Sequence, residues 1–349
     1  PQDLPNMVIQ KVKAALNKHS DDVALVQLDF RNFYASIPQK HLILLIRKKY
    51  DHTPQTKLIS SAIENITLPA HYRKIDRKKK NDYGVPQGLS ISNILAEIYL
   101  KEFDRGVSPQ CIVYRRFVDD VFILCKKEKV EDLWKNIDKT TSDLELQINL
   151  EKSTNHNEFI DVKAGFEFLG YRFVSKELIS VRGSSYDRYV QSLVGRITRF
   201  KHDLQKAKDE DKENLSLIFV DELNERITGA LDENKRYGWV FFFSEITDLQ
   251  MLGRIDWIVH NVLTRVNGFD KIREIKKVVR TFYEANHSPQ RGYIRDYNKF
   301  SPSQKIDYLT LRGWLKPEGR YTNEQIESMF NELKQRNLSK LEADVANIS

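Results

Sequence analysis

The sequence predicts an α+β fold, in which an antiparallel sheet with helices is followed by a mostly α-helical region. Apolar residues flank the acidic pair Asp119 and Asp120, with Ile112 and Val113 before it and residues 121–124 after it, a pattern typical of a β-hairpin. Residues 23–28 form a near-continuous apolar run, which is typical of a strand buried on both faces. From about residue 186 onward, apolar residues recur at helical spacing, so we expect mostly helices there.

The composition is that of an ordinary water-soluble protein with a moderate excess of positive charge. Its 349 residues suffice for two or three domains, and Lys and Arg outnumber Asp and Glu by 56 to 49. The resulting net charge of +7 suits a polyanionic partner without proving one. The two cysteines, Cys111 and Cys125, are too few for a disulfide framework or a zinc cluster and fit a reducing cytosol. No apolar run approaches membrane-spanning length and no signal peptide is visible, so we expect no membrane partner.

The elements of the first half of the chain follow from apolar spacing and turn residues. They are, in chain order, a short helix within residues 1–22, the strand 23–28 that leads into Asp29, an amphipathic helix over 39–49 opened by Pro38, a mixed segment over 50–83, a turn at 84–88 and a helix over 94–103. After the acidic hairpin we expect a helix over 130–141, an alternating strand over 144–150 and a strand with a glycine kink over 166–173.

The second half of the chain is expected to be helical. Residues 190–208 predict an amphipathic helix, whose apolar stripe is Val190, Leu193, Val194, Ile197, Phe200 and Leu204. Arg188, Arg199 and Lys206 lie on the opposite face. The charged residues 206–213 predict a solvated linker or loop. Residues 215–265 predict a second helical core, and residues 270–349 predict further helices interrupted at 288–297.

The pair Asp119 and Asp120 is the feature on which the functional hypothesis depends. Two like charges a few ångströms apart repel each other, and burial would raise their pKa values. Such a pair is tolerated where a divalent cation neutralises it. Because an isolated Asp-Asp pair is more often a solvated turn, the rest of the chain has to decide between these two interpretations.

Residues 73–80 hold six basic residues in eight, among them Arg73, Lys74, Arg77 and Lys78. This segment is either a solvated surface loop or a contact for nucleic-acid phosphates, and the pattern alone leaves both alternatives open.

Four motifs occur in a fixed order: a strand leading into Asp29, the turn 84–88 (Gly-Val-Pro-Gln-Gly), the segment 117–120 (Phe-Val-Asp-Asp), and the segment 146–152. In this order and at these separations, they resemble the palm of a reverse transcriptase over residues 23–173. Phe168, Leu169 and Gly170 resemble the primer-grip hairpin of that family. The resemblance implies a right-hand polymerase palm followed by an α-helical thumb and C-terminal region.

The resemblance implies nucleotidyl transfer with two Mg²⁺ ions, for which Mn²⁺ can substitute. Asp29 and Asp119 would bridge the ions, with Asp120 as a further ligand and the backbone carbonyl of Phe30 completing the shell of the triphosphate-bound ion. Mg²⁺ prefers carboxylate and phosphate oxygens, which suits this set. Lys152 resembles a late lysine of the family near the pyrophosphate and is a candidate general acid, with a solvated lysine as the alternative.

Tyr34 lies five residues after Asp29, where the family has a steric gate whose ring occupies the space of a ribose 2′-hydroxyl. A tyrosine there favours deoxynucleotides, and the alternative is a core aromatic beside Phe33. Gln87 is expected to touch the incoming nucleotide or the template base. Phe33, Pro86 and Gly88 are expected to bind the nucleotide as well.

Nucleic acid is the partner that the resemblance implies. The expected contacts are Arg73, Lys74, Arg77, Lys78, Phe168, Leu169, Gly170, Arg188, Arg199 and Lys206. They would bind an RNA template and a DNA primer or product, with deoxynucleoside triphosphates as substrates. A structured non-coding RNA partner and association into homo-oligomers remain open.

The chain departs from the family at its N-terminus, because only 28 residues precede Asp29 and they lack a fingers motif that would grip the triphosphate. We favour a missing N-terminal part over replacement of the fingers by residues 73–80. The expected domains are a fingers remnant or N-terminal helix over 1–22, a palm over 23–175 with partial fingers around 50–83, a helical thumb over 176–265 and a helical extension over 266–349.

A palm followed by a long helical region resembles the bacterial defence-associated and abortive-infection reverse transcriptases, and more distantly the group II intron and retron enzymes. We therefore predict an RNA-directed DNA polymerase of the bacterial cytoplasm that copies a dedicated RNA template in anti-phage defence. The alternatives are an intron- or retron-type enzyme and a non-catalytic RNA-binding scaffold. The intact Asp29, Asp119, Asp120 and Gln87 argue against the scaffold.

Overall fold

A four-stranded antiparallel sheet forms the centre of the first half of the protein. The structure is a computed structural model that describes residues 5–19, 22–50, 53–64, 82–85, 90–287, 292–316 and 318–345. It divides into two compact units, one of residues 11–166 and the other of residues 1–10 together with 167–349.

The elements up to the end of the four-stranded sheet include both helices and strands. They are α1 (Pro5–His19), β1 (Val23–Leu28), α2 (Phe33–Ser36), α3 (Gln39–Tyr50), α4 (Pro54–Glu64), α5 (Ser90–Val107), β2 (Val113–Phe117), β3 (Asp120–Lys126), α6 (Val130–Asp143) and β4 (Ile160–Asp161).

The strand order in this sheet is β2-β3-β1-β4, and each neighbouring pair is antiparallel. Strands β1 and β3 run side by side with Leu28 opposite Val121, so the next position along the register brings Asp29 towards Asp120. The apolar residues of both strands are buried, as the near-continuous apolar run predicts for a central strand. Helices α5 and α6 cover the sheet with buried side chains that include Tyr99, Phe103 and Trp134.

The elements from Phe166 onward are mostly helices with short strands between them. They are β5 (Phe166–Phe168), β6 (Tyr171–Phe173), β7 (Ile179–Val181), α7 (Gly183–Lys206), α8 (Asp209–Thr228), β8 (Ala230–Asp232), β9 (Lys235–Tyr237), α9 (Trp239–Phe242), α10 (Leu249–Leu263), α11 (Val278–His287), β10 (Arg295–Asp296), α12 (Pro302–Leu311) and α13 (Asn323–Ala343). Two small sheets have the orders β5-β6-β7 and β10-β8-β9. The α+β class and the helical second half are therefore confirmed.

Stacked aromatic rings hold the helices of this second unit together. The rings of Phe200 and Phe219 stack with their centroids 3.8 Å apart, and both meet Phe269 edge-on. Because Phe200 belongs to α7 and Phe269 follows α10, one core spans the boundary at 265/266 that the sequence predicts between a thumb and an extension.

Two predicted strands have a different structure. Residues 144–150 form a turn and an extended segment in which Ile148 bridges to Phe30, because Glu145 adopts a left-handed φ of +51° that breaks the alternation. The segment 166–173 is a hairpin, in which Leu169 and Gly170 both have positive φ and form the tight turn between β5 and β6.

The linker or loop predicted over 206–213 is confined to residues 207 and 208. Helix α7 ends at Lys206 and α8 begins at Asp209. The first turn of α8 carries three acidic residues, which are favourable at a helix N-terminus. Strands β8, β9 and β10 are not predicted, since runs of two or three residues are too short to show an alternating pattern. No helix among the described residues is both long enough and apolar enough to cross a membrane.

Candidate active site

The tight turn between β2 and β3 carries the acidic pair. Phe117 pairs with Asp120, which leaves Val118 and Asp119 as the two turn residues. Val118 has a φ of +57°, in the left-handed region that a β-branched side chain rarely adopts. A residue held in this way is strained by roughly 1–3 kcal/mol and persists only where its surroundings fix it.

Asp29, Asp119 and Asp120 come together at the end of β1 and the β2–β3 turn. The pKa of Asp120 is raised to about 6, first by burial and then by the negative charges of Asp119 and Asp29. Burial likewise raises the pKa of Asp119, a hydrogen bond from its own backbone N–H lowers it, and the charge of Asp29 raises it again. The three predicted carboxylates therefore lie close enough to repel one another.

Asp29 is fixed by residues that follow α6. The side-chain amide of Asn149 donates to Oδ1 of Asp29 over 2.9 Å, and the backbone N–H of Asp29 donates to Oγ of Ser153 over 2.9 Å. The ammonium of Lys152 lies 3.8 Å from Oδ2 of Asp29, while its side chain is 68% exposed. The structure thus brings the predicted Lys152 to the acidic group. Asn149 and Ser153 are missed by the sequence analysis, although they flank Lys152 in the chain.

Phe30 and Phe33 belong to the hydrophobic core. Each side chain is 2% exposed, and their ring centroids are 5.9 Å apart. The predicted metal contact of Phe30 involves its backbone carbonyl, so burial of its ring does not bear on it. The Phe33 side chain, which we expected beside a nucleotide, instead supports the ring of Tyr34 from the core side, 5.4 Å away.

Tyr34 stands beside the acidic group. It is partly exposed, and its pKa is raised by burial and then by the charges of Asp119 and Glu97. Its hydroxyl donates to Oδ1 of Asn93 on α5 over 2.7 Å, which fixes the direction of the ring. No sequence pattern points to Asn93, since this contact joins residues 59 positions apart.

Two predicted groups fall on residues outside the described part of the chain. These are the turn residues Pro86, Gln87 and Gly88 and the basic residues Arg73, Lys74, Arg77 and Lys78. Their roles stay predictions. The first residues of the turn are described and anchored near Tyr34, because the backbone N–H of Val85 donates to the Tyr34 carbonyl over 2.8 Å.

The remaining predicted nucleic-acid contacts lie in the second unit. Phe168 and Leu169 are mostly buried at the β5–β6 turn, and the Gly170 carbonyl accepts a hydrogen bond from the backbone N–H of Arg182 over 2.7 Å. Arg188, Arg199 and Lys206 are exposed on α7, opposite its buried stripe. Arg199 also lines a cleft of about 370 Å³ between α7, α8 and α13.

The acidic group fits a divalent metal in its donor chemistry. Within the described residues, no three acidic, histidine or cysteine side chains meet as a ready-made ligand set for one ion. Mg²⁺ is often held by one or two carboxylates, with water and substrate phosphates completing its octahedral shell. Burial and then the charges of neighbouring carboxylates raise the pKa values of Asp119 and Asp120, and a bound divalent ion would offset both effects.

One family model and several solved structures are similar to this chain. Residues 3–173 match the model of the reverse transcriptase (RNA-dependent DNA polymerase) family. No curated protein matches the chain. Among solved structures, the chain is similar to telomerase from Candida albicans in complex with a TWJ fragment of telomeric RNA, at 13% identity and a TM-score of 0.37, covering 83% of this chain and 52% of that one. The corresponding structure from Candida tropicalis matches at 13% identity and a TM-score of 0.40, covering 89% and 52%. The chain therefore spans about half the length of these structures.

Proposed function

Residues 3–173 of this chain match the reverse transcriptase family, and from this premise we propose that the protein is an RNA-directed DNA polymerase. One observation carries the proposal. The antiparallel pairing of β1 and β3 ends with Leu28 opposite Val121, so Asp29 and Asp120 follow at the same end of the sheet, next to Asp119 in the adjoining turn. Carboxylates gathered in this way are the donors that a polymerase needs for divalent cations.

The reaction we propose is the addition of a deoxynucleotide to a primer. Two Mg²⁺ ions, or Mn²⁺ in their place, would lower the pKa of the primer 3′-hydroxyl and offset the charge that develops on the phosphates. Asp29 and Asp119 would hold both ions, with Asp120 and the Phe30 carbonyl as further ligands. Asn149 and Ser153 keep Asp29 in place through their hydrogen bonds, so that its carboxylate is pre-oriented.

Two further side chains would act on the nucleotide. The ammonium of Lys152, exposed and 3.8 Å from Asp29, would donate a proton to the departing pyrophosphate. The ring of Tyr34, directed by Asn93, would occupy the space that a ribose 2′-hydroxyl needs. Gln87 would touch the incoming nucleotide or the template base.

The test is primer extension by wild-type protein and by Asp119→Asn in the presence of Mg²⁺. We expect Asp119→Asn to abolish incorporation, because removal of a ligand from a two-metal site removes several kcal/mol of transition-state stabilisation. Asp132→Asn is the matched control, since Asp132 lies on α6 with a side chain that is 56% exposed. Extension by Asp119→Asn at the wild-type rate would refute the assignment.

For the biological role, we propose that the enzyme copies a dedicated RNA template in the bacterial cytoplasm as part of anti-phage defence. The helical unit that follows the sheet supports this proposal, because a palm followed by a long helical region resembles the defence-associated reverse transcriptases. Sequencing of the nucleic acid that copurifies with the protein tests it. One recurrent non-coding RNA with its DNA copy supports a dedicated template, whereas intron sequence would favour an intron-type enzyme. RNA without any DNA copy would favour a scaffold.

A further inference from the structure

Arg116, near the end of β2, is a buried cation close to the acidic turn. Its side chain is 4% exposed, and it faces two carboxylates of helix α5. Nε and Nη2 donate to the two oxygens of Asp104 over 2.7 and 2.8 Å. Nη1 and Nη2 donate to the two oxygens of Glu97 over 3.0 Å each. Arg116 therefore ties the end of β2 to α5 by two bidentate pairs.

The fifth donor of Arg116 reaches the turn itself. Nη1 also donates to the backbone carbonyl of Val118 over 2.9 Å. A guanidinium has five N–H donors, and these five hydrogen bonds engage all of them. With its donors engaged in this way, Arg116 influences the site through the groups that it holds rather than through a phosphate or a nucleotide.

The Val118 carbonyl belongs to the peptide group that leads into Asp119. The N–H of the same peptide group donates to the carboxylate of Asp119. A hydrogen bond at the carbonyl end of this peptide therefore fixes the direction of the N–H at its other end. It also holds Val118 in the left-handed conformation that its side chain disfavours.

We propose that Arg116 is a positioning residue, which orients the Asp119 carboxylate for metal binding by holding the Val118 peptide against helix α5. The inference rests on the proposed function, because it takes Asp119 as a metal ligand. Asp104 is itself fixed by the Tyr114 hydroxyl, which donates to its Oδ1 over 2.6 Å. The support for the turn thus extends from the sheet to the helix. Lysine could not make all the hydrogen bonds of Arg116, since an ammonium lacks the planar set of five donors.

The test uses Arg116→Gln, Arg116→Lys and Glu97→Gln in the full chain. Arg105→Gln is the matched control, because Arg105 lies on α5 with a 62% exposed side chain that pairs with Glu102 of the same helix. For Arg116→Gln we expect the Mg²⁺ concentration for half-maximal primer extension to rise about tenfold or more, as is usual when a group that orients a metal ligand is removed. The kcat should fall, while the KM for the nucleotide stays within about twofold, since a positioning role leaves nucleotide binding in place.

Hydrogen–deuterium exchange provides a readout that does not depend on catalysis. Exchange of peptides covering 113–124 should be faster in Arg116→Gln than in Arg105→Gln. Arg116→Lys and Glu97→Gln should change the Mg²⁺ requirement and the exchange rate in the same direction by smaller factors. If Arg116→Gln does not fold, these two variants are used for the test in its place. Faster exchange with an unchanged Mg²⁺ requirement and kcat would overturn the proposal, and so would unchanged exchange.

Failure of the proposed function is distinguishable from failure of this inference. If wild-type protein extends no primer, the polymerase assignment fails, and Mn²⁺ binding by calorimetry becomes the measurement. Weaker Mn²⁺ binding by Arg116→Gln than by Arg105→Gln would still support the positioning role. Equal Mn²⁺ affinity, or no binding by any variant, would overturn it.

Discussion

The carboxyl group of Asp120 gives the metal-free protein a pH-dependent stability. Its pKa is raised from the ordinary value of 3.8 to about 6, chiefly by burial and then by Asp119 and Asp29. Because the folded protein binds this proton more tightly than the unfolded chain does, protonation of Asp120 stabilises the fold. This stabilisation is complete below pH 3.8 and is lost as the pH rises through about 6. Without metal, Asp120 should therefore contribute least to the free energy of unfolding at neutral and alkaline pH.

Asp120→Asn should remove this penalty. In the presence of a chelator at pH 8, we expect the variant to have a free energy of unfolding higher than that of wild type by about 1 kcal/mol, a value reduced for solvent screening because Asp120 is exposed. At pH 4 the difference should be close to zero. Urea unfolding at both pH values measures it, and Mg²⁺ should stabilise wild type at pH 8 more than the variant. A difference that does not change with pH would mean that Asp120 is an ordinary solvated carboxylate.

Sugar selection is predicted to depend on Tyr34 and its hydrogen bond to Asn93. Tyr34→Val should raise ribonucleotide incorporation relative to deoxynucleotide about tenfold or more, because it opens space for a hydroxyl whose exclusion and desolvation otherwise cost over ~1 kcal/mol. Asn93→Ala leaves the ring but removes the partner of its hydroxyl, so its effect should be intermediate. Single-nucleotide extension with matched ribo- and deoxyribonucleoside triphosphates measures the ratio. Equal use of both sugars by wild type, or a ratio unchanged by Tyr34→Val, would make Tyr34 a core residue.

At the scale of single residues, the sequence predicts the acids but not the groups that hold them. Asp119 and Asp120 stand out because they are charged residues between two predicted strands. Asp29 stands out because it directly follows the apolar strand 23–28. Asn149 contacts Asp29 across 120 positions of the chain, and such a pairing depends on tertiary structure. Arg116 is missed for a similar reason, since α5 supplies its carboxylates from 12 and 19 positions away.

At the scale of elements, helix α7 offers a prediction about nucleic acid. Its exposed face carries Arg188, Arg199 and Lys206, and its other face is buried. Replacement of these three residues by Gln should weaken binding to template–primer duplexes of every sequence. The slope of the logarithm of the binding constant against the logarithm of the salt concentration should become shallower by roughly one unit for each phosphate that is no longer neutralised. Lys135→Gln on α6 is the control, as its side chain is 66% exposed and already pairs with Glu131. Titrations at several salt concentrations measure the slope, and an unchanged slope would mean that this face is merely solvated.

Long periodic elements can be predicted from the sequence, and short ones cannot. Helix α6 is predicted over 130–141 and ends two residues later, because its apolar residues recur over several turns. Apolar spacing predicts one strand where β5 and β6 form the hairpin that the primer-grip resemblance implies, since the positive φ of Leu169 and Gly170 turns an apolar-polar alternation into a reversal. Leucine gives no warning of such a conformation, which in hairpin turns is usually adopted by Asn, Asp or Gly.

At the scale of the molecule, the sheet with its acids and the helical unit are separate compact units. The boundary falls at 166/167, earlier than the end expected for a palm at 175, because the β5–β7 sheet belongs largely to the helical unit. The expected border at 265/266 is crossed by the packing of Phe269 on Phe200 and Phe219. The domain names thus remain proposals, while the placement of all three acids within residues 11–166 is what the functional claim needs.

The measurement that tests the central claim most directly is the sequence of a DNA product made on a defined RNA template. Purified wild-type protein is supplied with a DNA primer annealed to that template, four deoxynucleoside triphosphates and Mg²⁺, with Asp119→Asn and a chelator as parallel reactions. We predict a full-length DNA complementary to the RNA from wild type alone, and none in the two parallel reactions. A product that does not follow the template, or one that also forms with Asp119→Asn or in the chelator, would contradict the account.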